Sequence, residues 1–297
     1  MERIDYIEFP KLRRPYLIVG FEGWPNAAEV SSTAVQYLVE QLQGKRFASI
    51  PVESFYQFSS LRPAAVIKAG RLLELNGPKN DFFFARGNEE QDLILFSGVE
   101  PHLRWEAFTN LLLDLAEKQE VCQIITLGGT YDYIPHTVPP VVSALFNRED
   151  LRESLIRSEL RLTDYSGPIS IHTFLMEGAR KRGLPGISLW GHAPQYLQAK
   201  NVKVVRALLH RLTALTGLTV DLSQLERMGE YFDQQVNHLI EKDPKLQEVI
   251  MKLEGVYRQA SGVSSAGAKE EESKEDKVVY IQAFLKRQDE EGEPEKR

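Results

Sequence analysis

The residues with chemistry to offer are few, and they fall at the ends of apolar runs. His192, in Leu189-Trp190-Gly191-His192-Ala193-Pro194-Gln195-Tyr196, carries an imidazole that can act as a general base, with Glu22 or Glu177 as candidate carboxylate partners. A lone histidine serves equally as a hydrogen-bonded structural residue. Asn26 follows Pro25 at the start of a periodic stretch, where its side chain caps the helix or the free N–H groups of the first turn receive a phosphate or carboxylate. Gly128-Gly129 matches neither G-x-x-x-x-G-K-S/T nor G-x-G-x-x-G and reads as a turn. Ser, His and Asp all occur, but without a G-x-S-x-G elbow residue types alone assign no triad. His136 and His172 have no His, Cys or Asp at ligand spacing, which predicts no metal. The single cysteine, Cys122, lies inside the apolar run Val121 to Leu127 and reads as a small hydrophobe, not a nucleophile. Trp24, Tyr131, Tyr133 and Tyr196 line a pocket or pack the loops.

These residues need a frame, and the hydrophobic pattern describes one. Tyr16 to Gly20 is a short apolar run, as in a strand buried on both faces of a parallel sheet. Asn26 and Glu29, three residues apart, form a capping-box pattern ahead of the helical stretch Ala27 to Gln43. Phe47 to Val52 reads as a second strand, completing a β-α-β unit. Asn76-Gly77, between the apolar runs Leu72 to Leu75 and Phe82 to Ala85, predicts a hairpin. Leu93 to Phe96 is a strand, His102 to Lys118 a helix, and Val121 to Leu127 a strand ended by Gly128-Gly129, with a loop from Thr130 to Pro140. Pro168 to Arg182 is a helix, Ile187 to Trp190 a strand, and Val202 to Thr216 a helix stopped by Gly217. Strands alternating with helices predict a doubly wound or related three-layer sheet. Its strand tips, Glu22 to Trp24, Gly98 to Pro101, Gly128 to Tyr131 and Gly191 to Tyr196, share one rim, where open α/β sheets collect ligands. The candidate edge is therefore Glu22, Trp24, Asn26, Gly128, Gly129, His192 and Tyr196.

From Asp221 onward the strand signal stops. Two amphipathic helices near Leu222 to Glu241 and Lys245 to Arg258, separated by Asp243-Pro244, suit an antiparallel pair. The expected organisation is an α/β domain over 1–220, a helical appendage over 221–260, a disordered linker over 261–277, rich in Ser, Gly and charge, and an amphipathic segment with a charged tail over 278–297. With 42% hydrophobic and 26% charged residues in 297, the chain can bury a core without disulfides or metals. The net charge is −6, and residues 269–297 carry ten acids against seven bases, so the rest is close to neutral. No basic stripe interleaved with aromatics argues for nucleic acid, and no apolar stretch approaches a signal sequence or a span of ~20 residues, so a cytoplasmic protein without membrane partners is expected.

The stretch GFEGWPNAAEVSSTAVQYL, from Gly20 to Leu38, resembles the opening signature of the PAC2 (proteasome assembly chaperone 2) family. Tyr56-Gln57-Phe58 with Arg62-Pro63, Leu127-Gly128-Gly129-Thr130, Gly167-Pro168-Ile169-Ser170 and Leu189 to Tyr196 agree with it in order, over roughly Pro15 to Leu222. The resemblance implies a phosphorylase-like α/β sandwich with a mostly parallel mixed sheet, and relatives that chaperone assembly of the proteasome α-ring. It implies no established activity or cofactor, although some members are labelled ATP-grasp-like. Members that engage the proteasome do so through a terminal hydrophobic-Tyr-any tripeptide. Here Val279-Tyr280-Ile281 has the letters, but sixteen residues follow, ending Pro294-Glu295-Lys296-Arg297.

Two functions follow as expectations. The first is a non-catalytic assembly protein that binds other proteins, with itself and proteasome-like subunits as the candidate partners, because apolar faces on a two-helix appendage need covering. The second is a small-molecule enzyme, a carboxylate-amine ligase or a hydrolase, at the carboxyl rim of the sheet.

Overall fold

The computed structural model describes residues 3–158 and 160–262. The decamer Val278 to Arg287 and most of the expected linker lie outside these residues.

One nine-stranded sheet organises the chain, in the order β1 (Asp5–Tyr6), β3 (Lys45–Ser49), β6 (Asp81–Ala85), β7 (Leu93–Val99), β2 (Tyr16–Glu22), β8 (Gln123–Asp132), β11 (Gly186–Pro194), β9 (Val142–Phe146), β10 (Arg161–Leu162). Its centre, β7-β2-β8-β11, is parallel, and each flank begins with an antiparallel neighbour, β6 on one side and β9 on the other. The central strands are apolar at nearly every position because both faces are covered. Ile18, Leu127 and Leu189 point toward α1 (Val30–Gln41) and α5 (Val202–Thr216), and Leu17, Val19 and Phe96 point toward α2 (Trp105–Lys118) and α4 (Ile171–Lys181). That is a three-layer α/β sandwich. The two further helices, α6 (Ser223–Lys242) and α7 (Pro244–Gly262), follow: α6 buries Leu225 against α5, and Val236, Leu246 and Ile250 close a small cluster on Tyr196 and Leu197. α5 matches the sequence reading to the residue, with Gly217 left-handed at its end (φ 67°).

Several expectations are corrected. Asn76-Gly77 does not turn a hairpin. The ribbon pairs β4 (Ala64–Lys68) with β5 (Arg71–Asn76) around Ala69-Gly70, both at positive φ (49° and 78°), the geometry of a type I′ turn, while Phe82 to Ala85 pairs instead with β3 and β7. The second strand ends at Ser49 rather than Val52 and is separated from β2 by β6 and β7. Gly128-Gly129 does not end its strand: β8 runs on to Asp132, and β11 runs to Pro194, so His192 lies within a strand rather than after one. β9, β10 and the short α3 (Arg152–Arg157) lack a long apolar period and went unseen.

The capping box is also absent. Ala27–Glu29 is a single 3-10 turn with Ala28 and Glu29 left-handed (φ 51° and 56°), and α1 starts only at Val30. Asn26 Oδ1 instead accepts the Ser32 N–H (3.0 Å). The reason lies beneath: Pro25 O accepts the Gly129 N–H (2.8 Å), Ala28 O accepts the Asn201 N–H (3.0 Å), and Ala28 N–H donates to Tyr131 Oη (3.2 Å). Tertiary anchors hold two residues in a region that ordinarily costs about 1–3 kcal/mol each.

The glycines of β8 and β11 are explained by close approach. A Cβ on Gly129 would stand 2.5 Å from Ala27 O and 2.8 Å from Val30 Cβ, and one on Gly191 would stand 2.5 Å from Val204 Cγ1. Gly129→Ala is therefore expected to lower stability by about 1–3 kcal/mol in chemical denaturation. Gly255→Ala, in α7 with nothing within 4 Å, is expected to change it by no more than ~1 kcal/mol, in the stabilising direction. Equal losses at the two positions contradict the packing argument.

Candidate functional site

Cross-strand register gathers the polar residues of the rim. β8 and β11 pair Gly128 with Trp190 and Thr130 with His192, and β9 pairs Ser143 with Trp190. Because side chains alternate along a strand, Thr130, Asp132, Trp190, His192, Ser143 and Leu145 all emerge on the face that carries α4. The opposite face of these residues' neighbours, Leu127, Leu189 and Ala144, belongs to the α1–α5 core.

There His192 Nδ1 lies 2.8 Å from Asp132 Oδ2 and His192 Nε2 lies 2.8 Å from Ser143 Oγ. A carboxylate only accepts, so Nδ1 carries the proton and donates to Asp132, leaving the Nε2 lone pair to accept from the Ser143 hydroxyl. The second Asp132 oxygen accepts the Tyr133 N–H (2.7 Å), which fixes the carboxylate. The hydrogen bond from His192 holds the Asp132 carboxyl below its usual range against the opposing effect of burial, and the Arg161 cation lowers it further. The three side chains form a Ser-His-Asp relay, drawn from three adjacent strands.

The relay opens on a cavity of about 310 Å³. Trp24, Tyr131, Tyr165 and Trp190 supply aromatic walls, and Arg161 and Asp164 line it as well. Trp190 can lie flat only because Gly128 has no side chain; a Cβ there would stand 2.8 Å from the indole. The far wall is the start of α4, fixed by Ser170, whose Oγ accepts the His172 N–H (3.2 Å). Glu100 ties that wall to the rim, with Oε1 accepting the Ile171 N–H (2.9 Å) and Oε2 the Trp24 N–H (3.2 Å). Burial raises the Glu100 carboxyl above its usual range, partly offset by these two N–H donors.

Of the sequence-derived candidates, Glu22 and His192 stand at or near the carboxyl ends of β2 and β11, while Gly128 lies further back on the parallel strand β8 between them. Trp24 and His192 line the cavity. Gly129 and Asn26 face the helix α1 side, bridged to each other as strand neighbours. Tyr196 is buried away from the cavity, its Oη 2.6 Å from both His136 N and His136 Nδ1. The carboxylate beside His192 is Asp132, neither Glu22 nor Glu177; Glu177 pairs with Arg180 and Lys181 on an exposed face of α4. Sequence reasoning missed Asp132, Ser143 and Arg161, because a run ended too early at Gly128 hid Asp132, and β9 was unrecognised. Among the described residues no group of three or more His, Cys, Asp or Glu is arranged to hold a metal, and no helix is long and apolar enough to cross a membrane.

A mixed sheet with a parallel centre, covered by helices on both faces and carrying a cavity at the carboxyl rim, defines an α/β sandwich protein. The PAC2 family model matches residues 20–240, and the chain belongs to the PAC2 family. It is similar to a PAC2 family protein from Streptomyces avermitilis, 31% identical with a TM-score of 0.72, over 80% of this chain and 99% of that one. A proteasome-assembly chaperone homologue from Mycobacterium tuberculosis is 28% identical with a TM-score of 0.73, over 79% and 99% of the two chains. The archaeal proteasome activator PbaB of Pyrococcus furiosus shares the fold, at 21% identity and a TM-score of 0.66, over 80% and 98%.

Behind Trp190 lies His172, fully buried between the rings of Phe21 (5.5 Å) and Trp190 (5.4 Å), with no hydrogen-bond partner for either ring nitrogen among the described residues. Burial pushes its pKa down from 6.5 to about 3. A base depressed in the folded state contributes full stability above its unfolded value, and that stability drains as pH falls from about 6.5 toward 3. Lowering the pH from 7.5 to 5 is expected to cost about 2 kcal/mol through this residue. His172→Leu should lose correspondingly less over that interval in denaturant titrations. Parallel pH curves for the two proteins contradict the assignment.

Proposed function

We propose that this chain is an assembly or scaffolding protein of the cytoplasm, acting without chemistry in that role, through protein–protein binding and self-association. Family membership and the proteasome-assembly name borne by the mycobacterial homologue support the reading. The observation that carries it is the β4–β5 ribbon. Every residue of both strands is exposed, including Ile67 (63%), Leu72 (58%) and Leu75 (68%). A two-stranded ribbon is marginal in water on its own, and apolar residues on a free ribbon mark an interaction surface. A second copy of the chain is the proposed occupant, with Val249, Met251 and Val256 of α7 as further exposed apolar positions. Proteasome-like subunits are the proposed heterologous partner.

The second expected reading, an enzyme at the rim, is favoured by one observation, the Ser143-His192-Asp132 relay.

Light scattering on the full chain at micromolar concentration is expected to return an oligomer, and the double variant Ile67→Asp, Leu75→Asp to shift it at least tenfold toward monomer with an unchanged melting temperature. A wild-type monomer contradicts self-association. Affinity capture from the native host tests the heterologous partner separately, with proteasome-type ring subunits as the expected product.

A further inference from the structure

We infer that the cavity is a hydrolytic site for small uncharged carboxylic esters, with Ser143 as nucleophile, His192 as general base and acid, and Asp132 as the residue that positions His192. This inference goes beyond the assembly reading and does not depend on it.

The geometry meets the conditions for an activated serine. Nucleophile to base and base to orienting carboxylate are both 2.8 Å, within the range such relays use. The tautomer is fixed in the productive sense, with the free Nε2 lone pair facing the hydroxyl. Ser143 is 4% exposed and is part of the cavity lining, so the cavity is the route by which a substrate would reach it. His192 is the hydrogen-bond partner that the Ser143 hydroxyl has among the described residues.

The remaining lining sets the substrate class. Trp24, Tyr131, Tyr165 and Trp190 offer flat apolar faces to a planar or aromatic group. Asp132 and Asp164 offset the charge of Arg161, so the cavity has no excess of positive charge to draw an anionic ligand. Arg161 pairs with Ser143 through the β10–β9 ladder and acts on Asp132 only through its charge, and its guanidinium donors in the cavity wall are offered to a carbonyl oxygen as negative charge develops on it. Thr130, across the strand from His192, adds a hydroxyl to the same cavity.

In the first half of the reaction Ser143 Oγ bonds to the ester carbonyl carbon as its proton passes to His192 Nε2. The Nδ1 proton stays on His192, donated to Asp132. The tetrahedral adduct collapses, the bond to the alkoxy oxygen breaks, and that oxygen takes the Nε2 proton and leaves as the alcohol. In the second half water attacks the acyl-serine, giving one proton to His192, which returns it to Ser143 Oγ as the carboxylic acid departs. Ester and water become acid and alcohol, with nothing else consumed.

The test treats the full chain with a fluorophosphonate probe and with p-nitrophenyl acetate. Covalent modification is expected on Ser143 by peptide mass spectrometry, with ester hydrolysis at least tenfold above that of Ser143→Ala. His192→Gln should abolish both signals at an unchanged melting temperature, and Arg161→Met should slow hydrolysis about tenfold or more. Absence of adduct on Ser143, or labelling that His192→Gln leaves intact, overturns the inference, and the hydroxyl is then only the partner that satisfies a half-buried histidine. Because the assay does not read oligomeric state, its failure leaves the assembly reading standing on its own evidence.

Discussion

The structure depends on a strip of sheet without side chains. Gly20, Gly129 and Gly191 fall on one face of β2, β8 and β11, and their would-be Cβ positions are occupied by Val35, by Ala27 and Val30, and by Val204. The helix layer therefore sits directly on backbone at the place where β2 and β8 part company, after the pair Gly20 and Leu127. Ser31 closes the gap, its Oγ donating to Leu127 O and accepting the Phe21 N–H (2.9 Å), so two strands that no longer pair with each other are pinned through one hydroxyl. A buried backbone N–H and C=O left without such a partner would each cost about 1–3 kcal/mol.

That close contact determines the rim on both sides. On the helix side it forces the chain from Pro25 to Glu29 into two left-handed residues, held by Gly129, Tyr131 and Asn201. It also lets Asn26 continue the sheet beside Gly129, in the place β2 has vacated. On the other side Gly128 gives the same relief to the Trp190 indole, whose plane becomes a wall of the cavity. Adjacent glycines thus serve opposite faces of one strand. A pair that resembles a fragment of a phosphate loop is explained here by packing alone.

The difference between what was readable and what was not follows from how local each signal is. α5 could be read because Asn201, the apolar spacing through Leu212 and Gly217 are all adjacent in sequence. The parallel centre was readable because strands buried on both faces leave unbroken apolar runs. The rim was not, since its strands lose apolar character just where they gain chemistry: Thr130 to Asp132 and Gly191 to Pro194 still pair in the sheet while looking like loop. The Ala69-Gly70 turn was masked by a stronger local signal at Asn76-Gly77. Ser143 and Asp132 are distant in sequence from His192 by 49 and 60 residues, so only register across three strands makes them neighbours. His192 itself stands out as a lone histidine at the end of a run, but the carboxylates that the pattern offers it, Glu22 and Glu177, lie on β2 and α4, whereas its partner Asp132 lies on β8.

The two surfaces proposed as functional attach to different halves of the nine-stranded sheet. The ribbon is inserted between β3 and β6, whereas the relay spans β8, β11 and β9, with β7 and β2 between them. Packing transmits strain through contacts, and the contacts around the ribbon are few: none of its residues is buried, and its strands pair only with each other. The relay by contrast is braced on every side, by Tyr133 at the carboxylate, by the β9 ladder at the serine, and by Glu100 and Ser170 at the facing helix. A partner seated on the ribbon can therefore order that element without displacing the cavity, and a ligand in the cavity meets walls already in place. The proposed binding at one half and the proposed chemistry at the other are compatible within a single chain because the parallel centre separates them.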